Sequence, residues 1–369
     1  MTEFEKKYQS EQNHRQNGSE NRFFSVTENC NSAATASKKN LRLWVRIGKY
    51  VVLTLVVVWL IVQLKSSWAE MLKYDWKPHW FWLTASGCLY LCGYMPVACL
   101  WFLAIKWFGQ KPRFFNSIFA YYASQLGKYA PGKAMVIIIR AGMISSDHVS
   151  ASVATAAVFY ETLTMMGTGA FIGSLIIFFF FREHAFYSLI ALGVAACSIT
   201  PIIPPVFTRL LKVLKVGKND PNVEKAVSCL KFRHLILGVG LTSILWLFFG
   251  LSLWAVVQGV GLNAGGLFEN LPRYVASVSL ATSLGFVVLI SPGGLGIREV
   301  ILSLLLTPYF ALILADPENV AFQLKPEALA TLVSLVQRVV SIVAEVLIYM
   351  VLMFFNSNLK HCLGSRRNQ

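Results

Sequence analysis

Five ionisable residues stand inside otherwise apolar stretches of this 369-residue chain. They are Arg140, Glu161, Arg298, Arg338 and Glu345. A charged side chain at membrane depth faces the protein interior or a watery cavity, and it marks a functional pathway by default. Arginine can bind a phosphate group through two parallel hydrogen bonds, and carboxylates can balance that charge or a cationic group. These residue types therefore predict the recognition of an anion. The obvious anionic group in a membrane is a lipid phosphate.

Two breaks rich in glycine and proline lie beside these charges. The later one reads Ser291-Pro-Gly-Gly-Leu-Gly-Ile-Arg-Glu299 and separates the apolar runs 274–290 and 300–314. The earlier one reads Gln125-Leu-Gly-Lys-Tyr-Ala-Pro-Gly-Lys133 and precedes an apolar run that carries Arg140. Opened backbone at membrane depth is tolerated only where protein or a cavity satisfies its polar groups. Paired interruptions indicate a transporter binding site, whereas either break alone could be an ordinary loop between helices.

The candidate substrate-binding residues belong to these breaks and to the polar faces of the spans. They are Lys128, Pro131, Gly132, Lys133, Arg140, Glu161, Pro292, Gly293, Gly294, Gly296, Arg298, Glu299, Arg338 and Glu345. In the last span, Ser334, Arg338, Ser341 and Glu345 share one helical face, which must face protein or a cavity. Two interpretations of this stripe stay open, namely an Arg338–Glu345 ion pair that locks the bundle and a role at a substrate.

The sequence predicts no catalytic residue, no metal site and no cofactor. The six histidines and seven cysteines show no metal-binding spacing, and no ATP-binding loop is present. Any transport is therefore expected to be passive, coupled to an ion or driven by a partner protein.

The composition predicts an all-α, polytopic integral membrane protein. Apolar residues make up 56% of the chain and charged residues only 14%, and several apolar runs reach the roughly 20 residues that a spanning helix needs. The net charge of +15 does not indicate nucleic-acid binding, because the basic residues cluster beside the ends of the spans. The predicted bundle has six to eight spans, including two Pro-Gly-broken re-entrant elements. The full spans are predicted at about 50–64, 80–107, 150–181, 185–207, 235–260 and 327–355.

The distribution of charge predicts the domain boundaries and the orientation. Residues 1–40 are expected to be a disordered cytoplasmic tail, residues 41–356 the transmembrane domain and residues 357–369 a short cytoplasmic tail. The segment Thr208–Arg233 carries seven Lys or Arg, which makes it the strongest cytoplasmic marker. Both termini are thus predicted to be cytoplasmic, in a bacterial inner (plasma) membrane.

The two breaks differ in how they are expected to thread the membrane. The first element, about Phe115–Ile144, has a first arm too short to cross, so it is predicted to be a hairpin that returns to the cytoplasmic side. The second element, about Tyr274–Leu314, is either two short spans or a hairpin that enters from outside. A hairpin from each side would give the two halves the inverted topology of many transporters.

The breaks also carry a family resemblance. Residues 292–299, Pro-Gly-Gly-Leu-Gly-Ile-Arg-Glu, resemble the signature of the flippase-like, lysylphosphatidylglycerol synthase transmembrane-region family, and residues 125–133 are similar to its first signature. Glu161 and Arg338 fall where similar family segments carry a glutamate and an arginine. The resemblance covers about residues 44–355.

The resemblance implies a membrane domain linked to moving aminoacylated phosphatidylglycerol between leaflets. The best-understood members also carry a soluble aminoacyl-transferase domain after the membrane part. Only about fourteen residues follow Phe355 here, so lysyl transfer from tRNA is not expected of this chain, and a transporter is favoured over an enzyme.

Three functions are therefore considered. The first is a flippase or transporter for an anionic or aminoacylated phospholipid, or for a polyprenyl-phosphate-linked glycan, with a separate transferase as a partner and no nucleic acid. The alternative is a membrane-embedded glycosyl or acyl transferase with Glu161, Glu299 or His148 as acid or base, but the loops are short and hold no paired-carboxylate or metal motif. A membrane scaffold is the third, and it leaves the two breaks unexplained. The sequence does not specify an oligomeric state.

Overall fold

The computed structural model describes residues 78–129, 134–145, 149–180, 185–214, 216, 221–262, 266–287, 296–315 and 325–365. Within these ranges the chain is almost entirely helical and contains no β-strand. The α-helices there are α1 Trp80–Trp107, α2 Phe114–Ser124, α3 Ala134–Ile144, α4 Ala151–Phe180, α5 Ala185–Ile199, α6 Pro204–Val213, α7 Pro221–Ser228, α8 Phe232–Gly259, α9 Leu267–Val287, α10 Ile297–Leu314 and α11 Pro326–Ser365. Two short 3-10 helices, Gln125–Tyr129 and Thr200–Ile202, lie between them.

Five of the described helices, α1, α4, α8, α10 and α11, are long and apolar enough to cross a membrane. Helices α5 and α6 qualify together, but the chain bends by 71° between them. The bend follows from Pro201, Pro204 and Pro205, because proline removes a backbone donor and clashes with the preceding turn. The predicted all-α polytopic bundle is confirmed, and the span predicted at 50–64 lies outside the described residues.

The centre of the bundle is built by α1, α4, α8 and α9. Helix α1 packs along α8, while α9 packs on both α4 and α8. Trp101 and Trp246 are among the largest fully buried side chains. Hydroxyl groups add polar links, since Ser86 and Ser252 bond to each other and Gln337 Nε2 donates to Ser252 Oγ at 3.2 Å. These bonds join α1, α8 and α11, as small polar residues commonly do between membrane helices.

Helix α4 approaches α8 and α9 closely at two glycines. A Cβ built on Gly169 would lie 2.4 Å from the Trp246 ring, and one built on Gly173 would lie 2.5 Å from Leu280 Cγ. The Gly-x-x-x-Gly spacing places both positions on one face of α4 and lets the neighbouring side chains reach its backbone. This contact fixes α4, which carries Glu161, against the rest of the bundle.

We expect Gly169→Ala to lower the stability of the protein by about 1–3 kcal/mol, because the added methyl group overpacks the contact with Trp246. Gly240→Ala is the matched control, since a Cβ built on Gly240 meets nothing within 4 Å. Alanine favours a helix over glycine by up to about 1 kcal/mol, so the control should be neutral or stabilising. Thermal unfolding in detergent measures both, and equal midpoints for the two variants would contradict the packing argument.

Two short helices, α2 and α3, flank the first break and pack on each other. Helices α2 and α3 have 11 residues each, or about 16 Å at 1.5 Å per residue, which is well short of the roughly 30 Å hydrocarbon core. Gly127, in the 3-10 helix after α2, allows that helix to approach α3 closely, because a Cβ there would lie 2.9 Å from the backbone nitrogen of Val136. These lengths fit the predicted hairpin, and its side of entry stays a prediction. Pro131, Gly132 and Lys133 lie outside the described residues.

The second break separates α9 from α10, which pack against each other. Pro292, Gly293 and Gly294 lie outside the described residues. Gly296 directly precedes α10 and has a φ of 85°, a value that glycine adopts at no steric cost. Helix α10 is long and apolar enough to span a membrane, and the choice between two short spans and a hairpin stays a prediction.

The segment predicted to be cytoplasmic, Thr208–Arg233, contains the end of α6 and helix α7. Lys212 Nζ lies 2.6 Å from Glu224 Oε1, and both side chains are exposed. The hydrogen bond and the positive charge of Lys212 hold the pKa of the Glu224 carboxyl below its ordinary value. The sequence did not predict a helix here, because the segment is short and rich in lysine.

Candidate functional site

Arg140 of α3 and Glu161 of α4 form a buried ion pair. Arg140 Nη1 lies 2.6 Å from Glu161 Oε2, and Arg140 Nε donates to Ser124 Oγ at 3.0 Å. Tyr121 donates its hydroxyl to the other carboxylate oxygen at 3.2 Å, and its ring lies 4.2 Å from the guanidinium carbon. Both helices that flank the first break, α2 and α3, are thereby attached to α4.

A second ion pair joins the first break to the last helix. Lys128, in the 3-10 helix Gln125–Tyr129, hydrogen-bonds to Oε1 of Glu345 on α11. Tyr90 donates to the same oxygen at 2.6 Å, and Tyr129 donates to Oε2 at 3.0 Å. Three donors therefore surround a carboxylate whose residue is only 1% exposed, which is how a buried charge is kept stable.

A third pair joins the second break to the same helix. Glu299 of α10 places Oε1 3.7 Å from Nε of Arg338 on α11. Its other oxygen accepts the Gly296 N–H at 2.7 Å and so satisfies a free amide at the start of α10. The guanidinium carbon of Arg338 also lies 5.2 Å from the centre of the Tyr129 ring. Arg338 therefore contacts both breaks, one through Glu299 and the other through Tyr129.

The ion pair between Arg338 and Glu345, one of the two interpretations that the sequence left open, does not form among the described residues. The two side chains share a buried face of α11 with Ser334 and Ser341, as the stripe predicted. They are seven residues apart, however, or about 10 Å along the axis, and each is paired with a residue of another element. The spacing within one helix could not show these partners, because they come from α10 and from the first break.

Arg298 differs from the other charged candidates in its contacts. It is 8% exposed, yet within the described part of the chain no carboxylate pairs with its guanidinium group. Its backbone is held against α9, since a Cβ built on Gly285 would lie 3.3 Å from Arg298 Cβ. Arg298 thus belongs to none of the three ion pairs.

The described candidate residues carry one more positive charge than negative. The cations are Lys128, Arg140, Arg298 and Arg338, and the anions are Glu161, Glu299 and Glu345. A buried charge without a counter-ion is far more costly than a paired one. An anion that entered beside Arg298 would offset this excess, so the arrangement is suited to binding a negatively charged group.

Tyrosines connect these pairs, and the sequence reasoning missed them. Tyr121, at Glu161, has its ring centre 6.1 Å from that of Tyr94. The hydroxyls of Tyr94 and Tyr90 lie 3.1 Å apart, and Tyr90 reaches Glu345. The spacing of Tyr90 and Tyr94, four residues apart in one apolar helix, was a signal that they share a face.

Paired charges enclosed by apolar helices define a polytopic helical membrane protein whose polar site lies within the bundle. The family model described as the lysylphosphatidylglycerol synthase TM region matches residues 47–315. Because this match covers well over half of the chain, the protein belongs to that family, and the predicted resemblance is confirmed. Searches of curated proteins and of solved structures found no match. Family membership makes this a membrane protein related to lipid modification or flipping.

Proposed function

We propose that this protein moves an anionic phospholipid between the leaflets of the membrane and binds the headgroup phosphate at Arg298. The observation that carries the proposal is that Arg298 is buried with no carboxylate partner among the described residues, whereas the other described candidate charges are paired. A buried arginine kept without a counter-ion is suited to a ligand that supplies one.

The position of Arg298 in the second break supports binding of phosphate. It is the second residue of α10, and the first amides of a helix have no partner within the helix and favour an anion. Glu299 already accepts the Gly296 N–H, so a phosphate would bind the arginine fork and the amides that follow. The planar guanidinium group matches two phosphate oxygens at once.

The charge balance also favours one class of lipid over another. A headgroup with a single net negative charge compensates the one excess cation of the site. An aminoacylated headgroup brings an additional amine, which would need a carboxylate, and Glu161, Glu299 and Glu345 already have cationic partners. We therefore favour an anionic phospholipid over an aminoacylated one, and a polyprenyl-phosphate-linked glycan shares the phosphate chemistry.

The contacts of α11 suggest how the site could change its access. Lys128–Glu345 joins α11 to the first break and Glu299–Arg338 joins it to the second, so exchange of these partners would release one break at a time. The orientation with both termini cytoplasmic, the inner-membrane location and a separate transferase that modifies the lipid remain parts of this proposal. The transferase alternative gains no support, since arginines hold Glu161 and Glu299 and His148 lies outside the described residues.

The proposal is tested with purified protein in liposomes that contain fluorescent phosphatidylglycerol. We expect a membrane-impermeant quencher to reach the inner-leaflet probe only when protein is present, and the recovered lipid to be chemically unchanged. Empty liposomes prepared in the same way are the control, and lysyl-phosphatidylglycerol should exchange more slowly because it adds positive charge. A chemically modified lipid product would instead support a transferase, and no exchange of either lipid would contradict the proposal.

A further inference from the structure

A second feature of interest is an apolar groove on the outside of the bundle. It has a volume of about 280 Å³ and lies between the end of α4, the first half of α9 and the second half of α10. Ile176, Phe180, Leu304 and Leu312 are among its lining residues. Leu304 and Leu312 are each 67% exposed, so the groove is open toward the region where acyl chains lie in a membrane.

The groove contains one cation, Arg273 of α9. Its Nη1 donates to Asn270 Oδ1 at 3.1 Å, and its guanidinium carbon lies 5.2 Å from the Phe180 ring and 5.1 Å from the Tyr309 ring. No carboxylate pairs with it in the part of the chain that the structure describes. The two rings flank the guanidinium group, and within the described residues most of its five N–H donors stay available.

We propose that this groove holds one anionic phospholipid as a stationary ligand, with the phosphate on Arg273 and part of one acyl chain along the apolar wall. The guanidinium fork supplies the charge and the geometry for a phosphate group. The volume is below the roughly 300–1,000 Å³ of pockets that enclose a whole ligand. The remainder of the lipid therefore stays in the bilayer, and only its position beside the protein is fixed.

This inference does not rest on the proposed transport. Arg298 lies at the start of α10, whereas Tyr309 of the groove lies 11 residues further along the same helix, or about 16 Å along its axis. On the predicted orientation the groove faces the outer leaflet. A lipid there would brace α4, α9 and α10 from outside without entering the charged interior.

The test is native mass spectrometry of the protein purified in mild detergent from one membrane source. We expect wild type to retain one anionic phospholipid in the groove, beyond any bound at Arg298, and Arg273→Gln to retain about tenfold less of it, because charge-assisted hydrogen bonds are lost. Leu304→Trp should lose the lipid as well, since it fills the groove while leaving Arg273 in place. Leu304 is exposed, so this substitution does not disturb the core.

Lys325→Gln is the matched control, because it removes an exposed cation just before α11, also predicted outside, and should retain the lipid as wild type does. Retention by Arg273→Gln equal to wild type, or a wild type free of anionic phospholipid, would overturn the proposal. A second protein chain bound in place of the lipid would overturn it too, by assigning the groove to a protein contact. Leaflet exchange is measured separately, so either proposal can fail without the other.

Discussion

Replacing Arg140 by alanine should destabilise the protein by about 3–5 kcal/mol, because it leaves a buried carboxylate without its counter-ion. Among the described residues, Glu161 would keep the hydrogen bonds from Tyr121 and Thr162, and neither group carries a compensating charge. Removing both charges, in Arg140→Met with Glu161→Gln, should recover much of the loss. The stability of wild type, the single variant and the double variant is measured by thermal or denaturant-induced unfolding in detergent.

Arg209→Ala is the control for this experiment, since it removes an exposed arginine from α6 and should change stability by less than about 0.5 kcal/mol. The prediction would fail if Arg140→Ala were as stable as wild type. It would also fail if the double variant were no more stable than the single one, because the cost would then not arise from the unpaired carboxylate.

Replacing Arg298 by alanine should abolish most lipid exchange while leaving stability unchanged or slightly higher. The reason is the opposite of that for Arg140: no described carboxylate depends on Arg298, so its removal takes away an uncompensated buried charge. We expect the exchange rate to fall at least about tenfold, which corresponds to the loss of a single good phosphate contact. Arg298→Lys should retain part of the activity, since it keeps the charge but lacks the planar fork.

The comparison uses reconstituted liposomes at equal protein content, with the thermal midpoint of each variant measured alongside. Arg338→Ala serves as a contrast, because it removes the partner of Glu299 and should lower stability. Exchange of labelled anionic lipid at the wild-type rate by Arg298→Ala would rule out Arg298 as the phosphate-binding residue. Loss of stability in Arg298→Ala would show that it has a structural partner instead.

Local patterns were sufficient to predict the long apolar helices of the described part of the chain. The span predicted at 80–107 is helix α1, and that predicted at 150–181 differs from α4 by one residue at each end, because hydropathy and length are properties of a continuous stretch. The bend before Pro204 could also be predicted, since proline acts on its own turn.

The partners of the charged residues could not be predicted in the same way. Lys128, Glu299 and Glu345 were candidates, but their pairing depends on which elements pack together, and that is set by contacts far apart in the sequence. The stripe on α11 shows this limit, because Arg338 and Glu345 share a face and still bind different elements. Tyr129 was missed because a tyrosine in an apolar chain resembles an ordinary packing residue until its hydroxyl finds a carboxylate.

The row of tyrosines between Glu161 and Glu345 has a consequence for how this protein can evolve. Tyr121, Tyr94 and Tyr90 form a continuous chain of contacts, and residues that share one network do not contribute independently to stability. Substitutions at its two ends should therefore be epistatic, so that a change at Glu345 is tolerated in one background and harmful in another. Drift at one end restricts the mutations accessible at the other, although the two glutamates lie on different helices.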